Sequence, residues 1–282
     1  MYDTLVTSDI LADNLQNPNW LIFDCRSSLT DHDAGLKAYQ QGHIPNAIFC
    51  SLETDLSSAV TKKSGRHPLP DFNEFIKKLG NWGVNNQTQV IAYDDVGGAF
   101  AVRLWWQLRT FGHKKVAVLD GGIPYWANQG KALSKEIPEI TATTFNAIID
   151  NSTWLSTEQV VENLTTKKYS ILDARTAERY RGESEPIDTV AGRIPDSINR
   201  AFQLNLDENG LFLSADELRT QFEPLLNQPA DKVVHLCGSG VTACHNMLAM
   251  EIADMKGSKL YAGSWSEWIR DDKRPVATDA ID

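Results

Sequence analysis

The sequence predicts an α/β protein with two tandem domains, each a mainly parallel sheet flanked by helices. The chain has 282 residues, about twice the size of a common domain. Short apolar runs alternate with amphipathic stretches, which is typical of parallel strands that helices cover on both faces. A set of motifs also recurs at about half the chain length. Together these observations favour duplication of a whole α/β domain.

Four motifs of the first half return in the same order in the second half. They pair LIFDCR at 21–26 with SILDAR at 170–175, GHIPNA at 42–47 with GRIPDS at 192–197, VIAYD at 90–94 with VVHLC at 233–237, and LDGGIPYW at 119–126 with YAGSWSEW at 261–268. The offset stays between about 142 and 150 residues. A period this long indicates a duplicated domain rather than a solenoid of short repeats.

The apolar runs place the strands, and the helical patterns lie between them. Strands are predicted over 20–23, 47–50, 89–93 and 116–119, and again over 169–172, 198–201, 232–236 and 259–261. Helices are predicted over 71–80, 100–111, 215–226 and 242–255. A stretch rich in Thr and Ser follows the first set of elements. We therefore predict domains at 1–137 and 153–282, joined by a linker at 138–152.

Composition and charge exclude several classes of protein. Lys and Arg number 27 against 37 Asp and Glu, and no basic run stands out, so neither nucleic acid nor an anionic membrane is an expected partner. No apolar stretch reaches the length of about 18–20 residues that a membrane-spanning helix needs. The four cysteines are too sparse for a disulfide framework and show no zinc-ligand spacing. No metal and no cofactor are expected. The N-terminus resembles neither a secretory signal nor a transit peptide, and we predict a cytoplasmic protein.

The loop after the strand at 232–236 carries the most informative motif, CGSGVT at 237–242. A glycine-rich loop between a strand and a helix N-terminus presents backbone N–H groups to an anion. Gly238 and Gly240 permit backbone conformations that other residues avoid. A cysteine at the start of such a loop is favoured as thiolate, which makes Cys237 a candidate nucleophile. A buried structural thiol beside a simple turn remains the alternative.

The equivalent loop in the first half has lost the thiol. It reads DDVGG from Asp94 to Gly98, so the glycines are retained and Asp94 stands in place of the cysteine. This difference predicts one reactive and one inert domain.

These motifs resemble those of the two-domain rhodanese-like sulfurtransferases over nearly the whole chain. The resemblance lies in the CGSGVT loop, the DCR and DAR motifs, the two G-x-I-P motifs and the GSWSEW segment at 263–268. The loop is most similar to that of the 3-mercaptopyruvate sulfurtransferase branch, C-G-[ST]-G-V-T, whereas the thiosulfate branch carries basic residues inside it. A Cys-dependent phosphatase is disfavoured, because Ala243 occupies the position of its phosphate-binding arginine.

The resemblance implies two tandem rhodanese-like domains and a defined reaction. An enzyme of this branch transfers sulfur from 3-mercaptopyruvate to a thiol, thioredoxin or cyanide through a persulfide, which would form here on Cys237. A thiosulfate sulfurtransferase and a non-enzymatic persulfide carrier are the alternatives. The amides expected to hold the substrate and the persulfide are those of Gly238, Gly240, Val241 and Thr242. The Thr242 hydroxyl is expected to cap the following helix or to tie the loop.

A proton relay is also implied by the resemblance. Ser239 lies inside the loop, where its hydroxyl could exchange a proton with Cys237. The histidine and the acidic residue of the family relay match His67 and Glu53, although the segment 54–66 between them is longer than the family pattern. A histidine oriented by a carboxylate is chemically suited to move protons near neutral pH. Solvated loop residues are the alternative for both positions.

The expected donors are anions, so the site needs cations. Arg179 matches the substrate-binding arginine of the family, and its planar guanidinium suits a carboxylate. The second arginine of the branch is missing, because Ile187 stands at that position in SEPID. Either the anion differs, or another arginine takes over, with Arg66, Arg181 and Arg193 as candidates.

The remaining motif residues are expected to be structural. The Asp–Arg motif occurs in both halves, which predicts a buried ion pair in each domain. Cys25, Cys50 and Cys244 are predicted to be buried structural thiols.

Overall fold

The computed structural model describes residues 1–279, which form two compact units with one five-stranded sheet each. The first unit contains Met1–Ser58, Leu69–Asp150 and Leu206–Phe212, and the second contains Ala59–Pro68, Asn151–Asn205 and the chain from Leu213 onward. Each unit thus includes a short segment from the opposite half of the sequence. The segment Ala59–Pro68 matters most, because it carries His67 into the second unit. The predicted division at the 138–152 linker remains a prediction.

The first unit has strands in the order β1-β5-β4-β2-β3, and every neighbouring pair is parallel. The strands are β1 (Leu5–Val6), β2 (Trp20–Asp24), β3 (Ala47–Phe49), β4 (Gln89–Tyr93) and β5 (Val116–Leu119). The helices are α1 (Ser8–Asp13), α2 (Ala34–Gln41), α3 (Phe72–Asn81), α4 (Ala101–Thr110) and α5 (Gly122–Asn128). The central strands β4 and β5 are buried along their whole length, as expected for a parallel sheet covered on both faces.

The second unit repeats this topology, with the strand order β6-β10-β9-β7-β8 and parallel pairing throughout. Its strands are β6 (Trp154–Leu155), β7 (Ser170–Asp173), β8 (Ile198–Asn199), β9 (Val233–Leu236) and β10 (Lys259–Tyr261). Its α-helices are α6 (Thr157–Thr166), α7 (Ala177–Arg181), α8 (Ala215–Phe222), α9 (Ala243–Ile252) and α10 (Ser264–Trp268). Short 3₁₀ turns lie at Asn151–Thr153, Phe202–Asn205, Glu223–Leu225 and Ala230–Lys232. The matching strand order confirms the predicted tandem α/β fold.

The repeated Asp–Arg motif buries an ion pair at the same place in each unit, as predicted. Arg26 Nη2 lies 2.6 Å from Asp24 Oδ2 and also donates to the carbonyl of Gly42 at 2.8 Å. Arg175 Nη2 lies 2.7 Å from Asp173 Oδ2 in the second unit. Both arginines bind their aspartate through more than one nitrogen, which adds geometric specificity to the pair. The motif therefore fixes the end of β2 and of β7.

His235 lies in the middle of β9 and is fully buried, and neither of its ring nitrogens has a hydrogen-bond partner within residues 1–279. Burial lowers its pKa to about 3. Between this value and the ordinary pKa of about 6.5, the unfolded chain binds a proton that the folded protein does not bind. Titration of His235 therefore does not lower the free energy of unfolding above pH 6.5, and it lowers this free energy progressively as the pH falls from 6.5 toward 3.

We expect His235→Leu to make folding less sensitive to acid. Between pH 6.5 and pH 5, His235 should lower the free energy of unfolding of the wild type by about 2 kcal/mol, because the unfolded chain gains a proton there that the folded protein does not gain. The variant has no imidazole at this position and should not show this loss. Urea unfolding of both proteins at these two pH values measures the difference. His32→Gln, at an exposed histidine, is the control and should keep the wild-type slope. An unchanged slope in His235→Leu would contradict the prediction.

Candidate active site

The candidate nucleophile lies in the loop between β9 and α9, and its side chain is enclosed by that loop. Cys237 is only 2% exposed, and the amide of Gly240 donates to its Sγ at 3.1 Å. Gly240 has a φ of +76°, and a Cβ there would lie 2.3 Å from the carbonyl oxygen of Ala262. The loop can therefore direct this amide at the sulfur only because residue 240 is glycine.

The GSWSEW segment binds the backbone of this loop through hydrogen bonds. In α10, the amides of Trp265 and Ser266 donate to the carbonyls of Cys237 and Gly238 at 3.0 and 2.9 Å. The Ser266 hydroxyl accepts a hydrogen bond from the amide of Arg66 at 3.0 Å. This helix therefore binds the nucleophile loop and the segment Ala59–Pro68 at once.

His67 meets the nucleophile loop at Ser239. The Nδ1 atom of His67 lies 2.7 Å from the Ser239 hydroxyl oxygen, and both side chains are buried. Ser239 is two residues from Cys237 in the loop. The structure therefore brings two of the predicted site residues together, with a hydroxyl and an imidazole in hydrogen-bond contact on the loop that carries the Cys237 thiol.

Two arginines flank the loop at Gly238. A Cβ built on Gly238 would lie 2.7 Å from Arg66 Nη2 and 3.4 Å from Arg179 Nη2, so both guanidinium groups lie beside the backbone that follows Cys237. We call Arg66 and Arg179 the arginine pair. Ile187, at the position of the missing arginine, is 41% exposed. Of the candidate substitutes for the missing arginine, the structure places Arg66 at the loop.

The other two candidate arginines have partners elsewhere. Arg181 Nε lies 2.7 Å from Glu183, and Arg193 Nη2 lies 2.6 Å from Asp279. Both of these carboxylates are substantially exposed to solvent, as expected for surface ion pairs.

Two buried carboxylates hold the arginine pair, and sequence analysis missed both. The side chains of Glu185 and Asp188 are each 3% exposed. Arg179 Nη2 lies 2.8 Å from Glu185 Oε1 and 3.1 Å from Asp188 Oδ2, while Arg66 Nη1 lies 3.3 Å from Asp188 Oδ1. Their only signal in the sequence is that both acidic residues lie in the SEPID segment, where the sequence analysis considered only the missing arginine.

The two carboxylates differ in their titration. Burial acts to raise the pKa of Glu185, but hydrogen bonds from Arg179 and from the Asp188 amide outweigh it, and the pKa is lowered. Burial raises the pKa of Asp188 above its usual value, despite the attraction of Arg66. Glu185 is therefore the stronger fixed anion of the two.

Comparison with known proteins identifies the family. The rhodanese-like domain family matches residues 7–129 and 156–271. The chain belongs to the rhodanese family. It is 45% identical over 277 residues to a probable 3-mercaptopyruvate sulfurtransferase of Pseudomonas aeruginosa, across 97% of this chain and 98% of that protein.

More distant relatives extend over the same length. Identity to a thiosulfate sulfurtransferase of Rattus norvegicus is 33%, across 96% of this chain and 93% of that protein. Among solved structures, SseA from Escherichia coli, a 3-mercaptopyruvate sulfotransferase, is 32% identical with a TM-score of 0.81, across 94% of this chain and all of that one. The chain is accordingly a sulfurtransferase with two rhodanese-like domains.

The first rhodanese-like domain carries an internal anion where the second carries the thiol. The Asp94 carboxylate is fully buried and accepts four backbone hydrogen bonds of 2.8–2.9 Å. The donors are the amides of Val96, Gly98, Phe100 and Ala101. Burial raises the pKa of Asp94, and these hydrogen bonds oppose the rise. The amides that would bind an external anion are therefore already satisfied, which gives a physical reason to expect this loop to be inert.

Two predicted rhodanese site residues are less simply placed. Glu53 belongs to the first unit, and its Oε1 lies 3.3 Å from Nδ1 of the exposed His32. Its part in a relay stays a prediction. Thr242 precedes α9 with helical backbone angles, and its side chain makes no capping hydrogen bond. The predicted cap is therefore wrong, because a residue with helical ψ is not in the extended conformation that a capping side chain requires.

The other cysteines are buried, as predicted for structural thiols. Cys244 in α9 is fully buried and contacts the carbonyl of Gly240, with its Sγ at 3.6 Å. Burial raises the pKa of Cys25 and raises that of Cys50 well above its usual value, so neither favours the reactive thiolate.

Residues 1–279 contain no cluster of three His, Cys, Asp or Glu side chains placed to hold a metal ion. Within the same part of the chain, no helix has both the length and the apolar character that crossing a membrane requires.

Proposed function

We propose that this rhodanese transfers sulfur from 3-mercaptopyruvate to an acceptor through a persulfide on Cys237. The observation that carries the proposal is the 2.7 Å hydrogen bond between His67 and Ser239, a residue of the loop that begins with Cys237. The CGSGVT loop and the 45% identity to a probable 3-mercaptopyruvate sulfurtransferase support the same donor. The acceptor is proposed to be a small thiol, thioredoxin or cyanide.

The first step explains why a proton relay favours this donor. The Cys237 thiolate attacks the donor sulfur, an S–S bond forms, and the carbon–sulfur bond breaks with its electrons left on the carbon. That carbon becomes the enolate of pyruvate and must gain a proton, while the donor thiol must lose one. Ser239 and His67 can carry this proton. With thiosulfate the leaving group is sulfite, a stable anion that needs no proton, so the relay would serve no purpose.

The arginine pair is proposed to bind the donor carboxylate. Guanidinium groups bind carboxylates through two parallel hydrogen bonds, and two of them converge at Gly238. The Gly240 amide would stabilise charge on the sulfur, since it already donates to the Cys237 Sγ. We propose the same role for the amides of Val241 and Thr242. Glu53 is proposed as the acidic residue of the relay on the family resemblance alone.

The second step returns the enzyme to its starting state. The acceptor thiolate, or cyanide, attacks the outer sulfur of the persulfide, and Cys237 leaves as a thiolate. This step needs neither metal nor redox cofactor, because the electrons that form the new bond come from the acceptor. Cys237 must be a free thiol at the start of each turnover, which supports a reducing cytoplasmic location, and Cys237 is free in the structure.

A comparison of donors tests the proposal. The value of kcat/KM is measured for 3-mercaptopyruvate and for thiosulfate with one common thiol acceptor. We expect a preference for 3-mercaptopyruvate of about 100-fold, the usual size of a positioned proton transfer. A preference for thiosulfate would instead support the thiosulfate sulfurtransferase alternative. Persulfide formation on Cys237 without turnover would support the carrier alternative.

Ser239→Ala is expected to affect the two donors unequally. Loss of the hydroxyl breaks the contact with His67, so kcat/KM for 3-mercaptopyruvate should fall about 100-fold. Transfer from thiosulfate should change by less than about threefold, because that donor needs no proton. Ser57→Ala is a matched control at another buried serine, whose hydroxyl has no partner within residues 1–279. An equal loss on both donors would contradict the relay.

A further inference from the structure

We propose that Asp188 selects the charge of the donor, so that the arginine pair accepts a monoanionic carboxylate in preference to a dianion such as thiosulfate. This inference rests on the proposed function and names the residue that sets its substrate class. Asp188 would be a positioning residue, since it acts through Arg66 and Arg179.

The geometry places one carboxylate between the two cations. The Oδ1 of Asp188 lies 3.3 Å from Arg66 Nη1, and its Oδ2 lies 3.1 Å from Arg179 Nη2. In each guanidinium, a nitrogen that does not contact Asp188 lies near Gly238. A Cβ built on Gly238 would lie 2.7 Å from Arg66 Nη2 and 3.5 Å from Arg179 Nη1. Asp188 therefore holds the arginine pair together at the loop and also lies close to any anion bound there.

Counting the charges shows why this matters. The arginine pair contributes two positive charges, and Glu185 and Asp188 contribute two negative ones. Arg175 also lies 3.4 Å from Glu185, but it is already neutralised by its own aspartate. The ionised side chains that meet here are thus balanced before the donor arrives. Asp188 repels each negative charge on the donor, so a dianion meets about twice the repulsion from Asp188 that a monoanion meets.

Burial makes this repulsion effective. Asp188 is 3% exposed and Arg179 is 15% exposed, so water screens their interactions with a bound anion only weakly. The carboxylate of 3-mercaptopyruvate has one negative charge, whereas thiosulfate has two. Removing one charge at a distance of about 5 Å should change the relative preference for the dianion by at least about tenfold.

The test compares Asp188→Asn with the wild type. The ratio of kcat/KM for thiosulfate to that for 3-mercaptopyruvate should rise at least about tenfold in this variant, whatever the loss common to both donors. Asp188→Glu keeps the charge and should return the ratio toward the wild-type value. Glu183→Gln, at an exposed carboxylate paired with Arg181, is the control and should leave the ratio unchanged. A parallel loss on both donors, with an unchanged ratio, would overturn the inference.

A second measurement does not depend on turnover. Sulfate, a dianion, and pyruvate, a monoanion, are compared as ligands by their dissociation constants for the wild type and for Asp188→Asn. We expect the affinity for sulfate relative to pyruvate to rise at least about tenfold in the variant. If the wild type transfers sulfur from neither donor, the proposed function fails, and this ratio still tests Asp188. An unchanged ratio of affinities would overturn the role of Asp188 while leaving the proposed function in place.

Discussion

Cys237→Ser is expected to abolish sulfur transfer from either donor while the fold is retained. A serine hydroxyl ionises far above neutral pH, so it cannot supply the nucleophile that the thiolate supplies. The buried loop accepts the smaller oxygen without rearrangement, because Gly240 can still donate to it. We expect kcat to fall by at least about 10³-fold, the size of loss typical when a nucleophile is removed.

The matched control for this variant is Cys244→Ser. Cys244 is as deeply buried as Cys237 and lies on α9, seven residues further along the chain. Intact-protein mass spectrometry after exposure to donor should show the gain of one sulfur atom in the wild type and in Cys244→Ser, and no gain in Cys237→Ser. Circular dichroism checks the fold of each variant. Residual transfer in Cys237→Ser at the wild-type rate would exclude the persulfide mechanism.

The sequence predicted the fold well because parallel strands of this kind are buried apolar runs. Each of the eight predicted strands is present, and β4 matches its predicted range of 89–93. The edge strands β1 and β6 were missed, since two residues carry no periodicity. The helix predicted over 215–226 ends at Phe222 and continues as a 3₁₀ turn that contains Pro224, because proline lacks the N–H that an α-helix needs.

The candidate site could be predicted only as far as local motifs reach. Cys237, Ser239 and Arg179 were located because each lies in or near a short motif at a strand end. Arg66 was one of three equal candidates, and its position depends on α10, whose Ser266 binds the Arg66 amide. That contact joins residues 200 positions apart in the chain, and no local pattern reports it. The carboxylate of Asp188 was missed for the same reason, since its partner Arg66 lies 122 positions away.

Asp94→Ala is expected to destabilise the first unit strongly. The substitution leaves four buried backbone N–H groups without their acceptor, and each unsatisfied group costs about 1–3 kcal/mol. Because the loop can relax and admit water, we expect a total loss of about 3–5 kcal/mol rather than the full sum. Urea unfolding monitored by tryptophan fluorescence measures this loss. The free energy of unfolding of Asp94→Asn should lie between those of the wild type and Asp94→Ala, since its single carbonyl oxygen can replace only one of the two carboxylate oxygens.

Asp95→Ala is the control, because Asp95 is adjacent to Asp94 in the chain but exposed. Its substitution should change the free energy of unfolding by less than about 0.5 kcal/mol. The comparison also tests the predicted reason for an inert first half of the duplication. If the Asp94 carboxylate is the anion around which the first loop folds, the loop must weaken when that anion is removed. The second loop needs no such internal anion, because its Gly240 amide is directed at the Cys237 sulfur. A loss in Asp94→Ala no larger than in Asp95→Ala would mean that the loop amides do not depend on the carboxylate, and this account of the inert loop would be wrong.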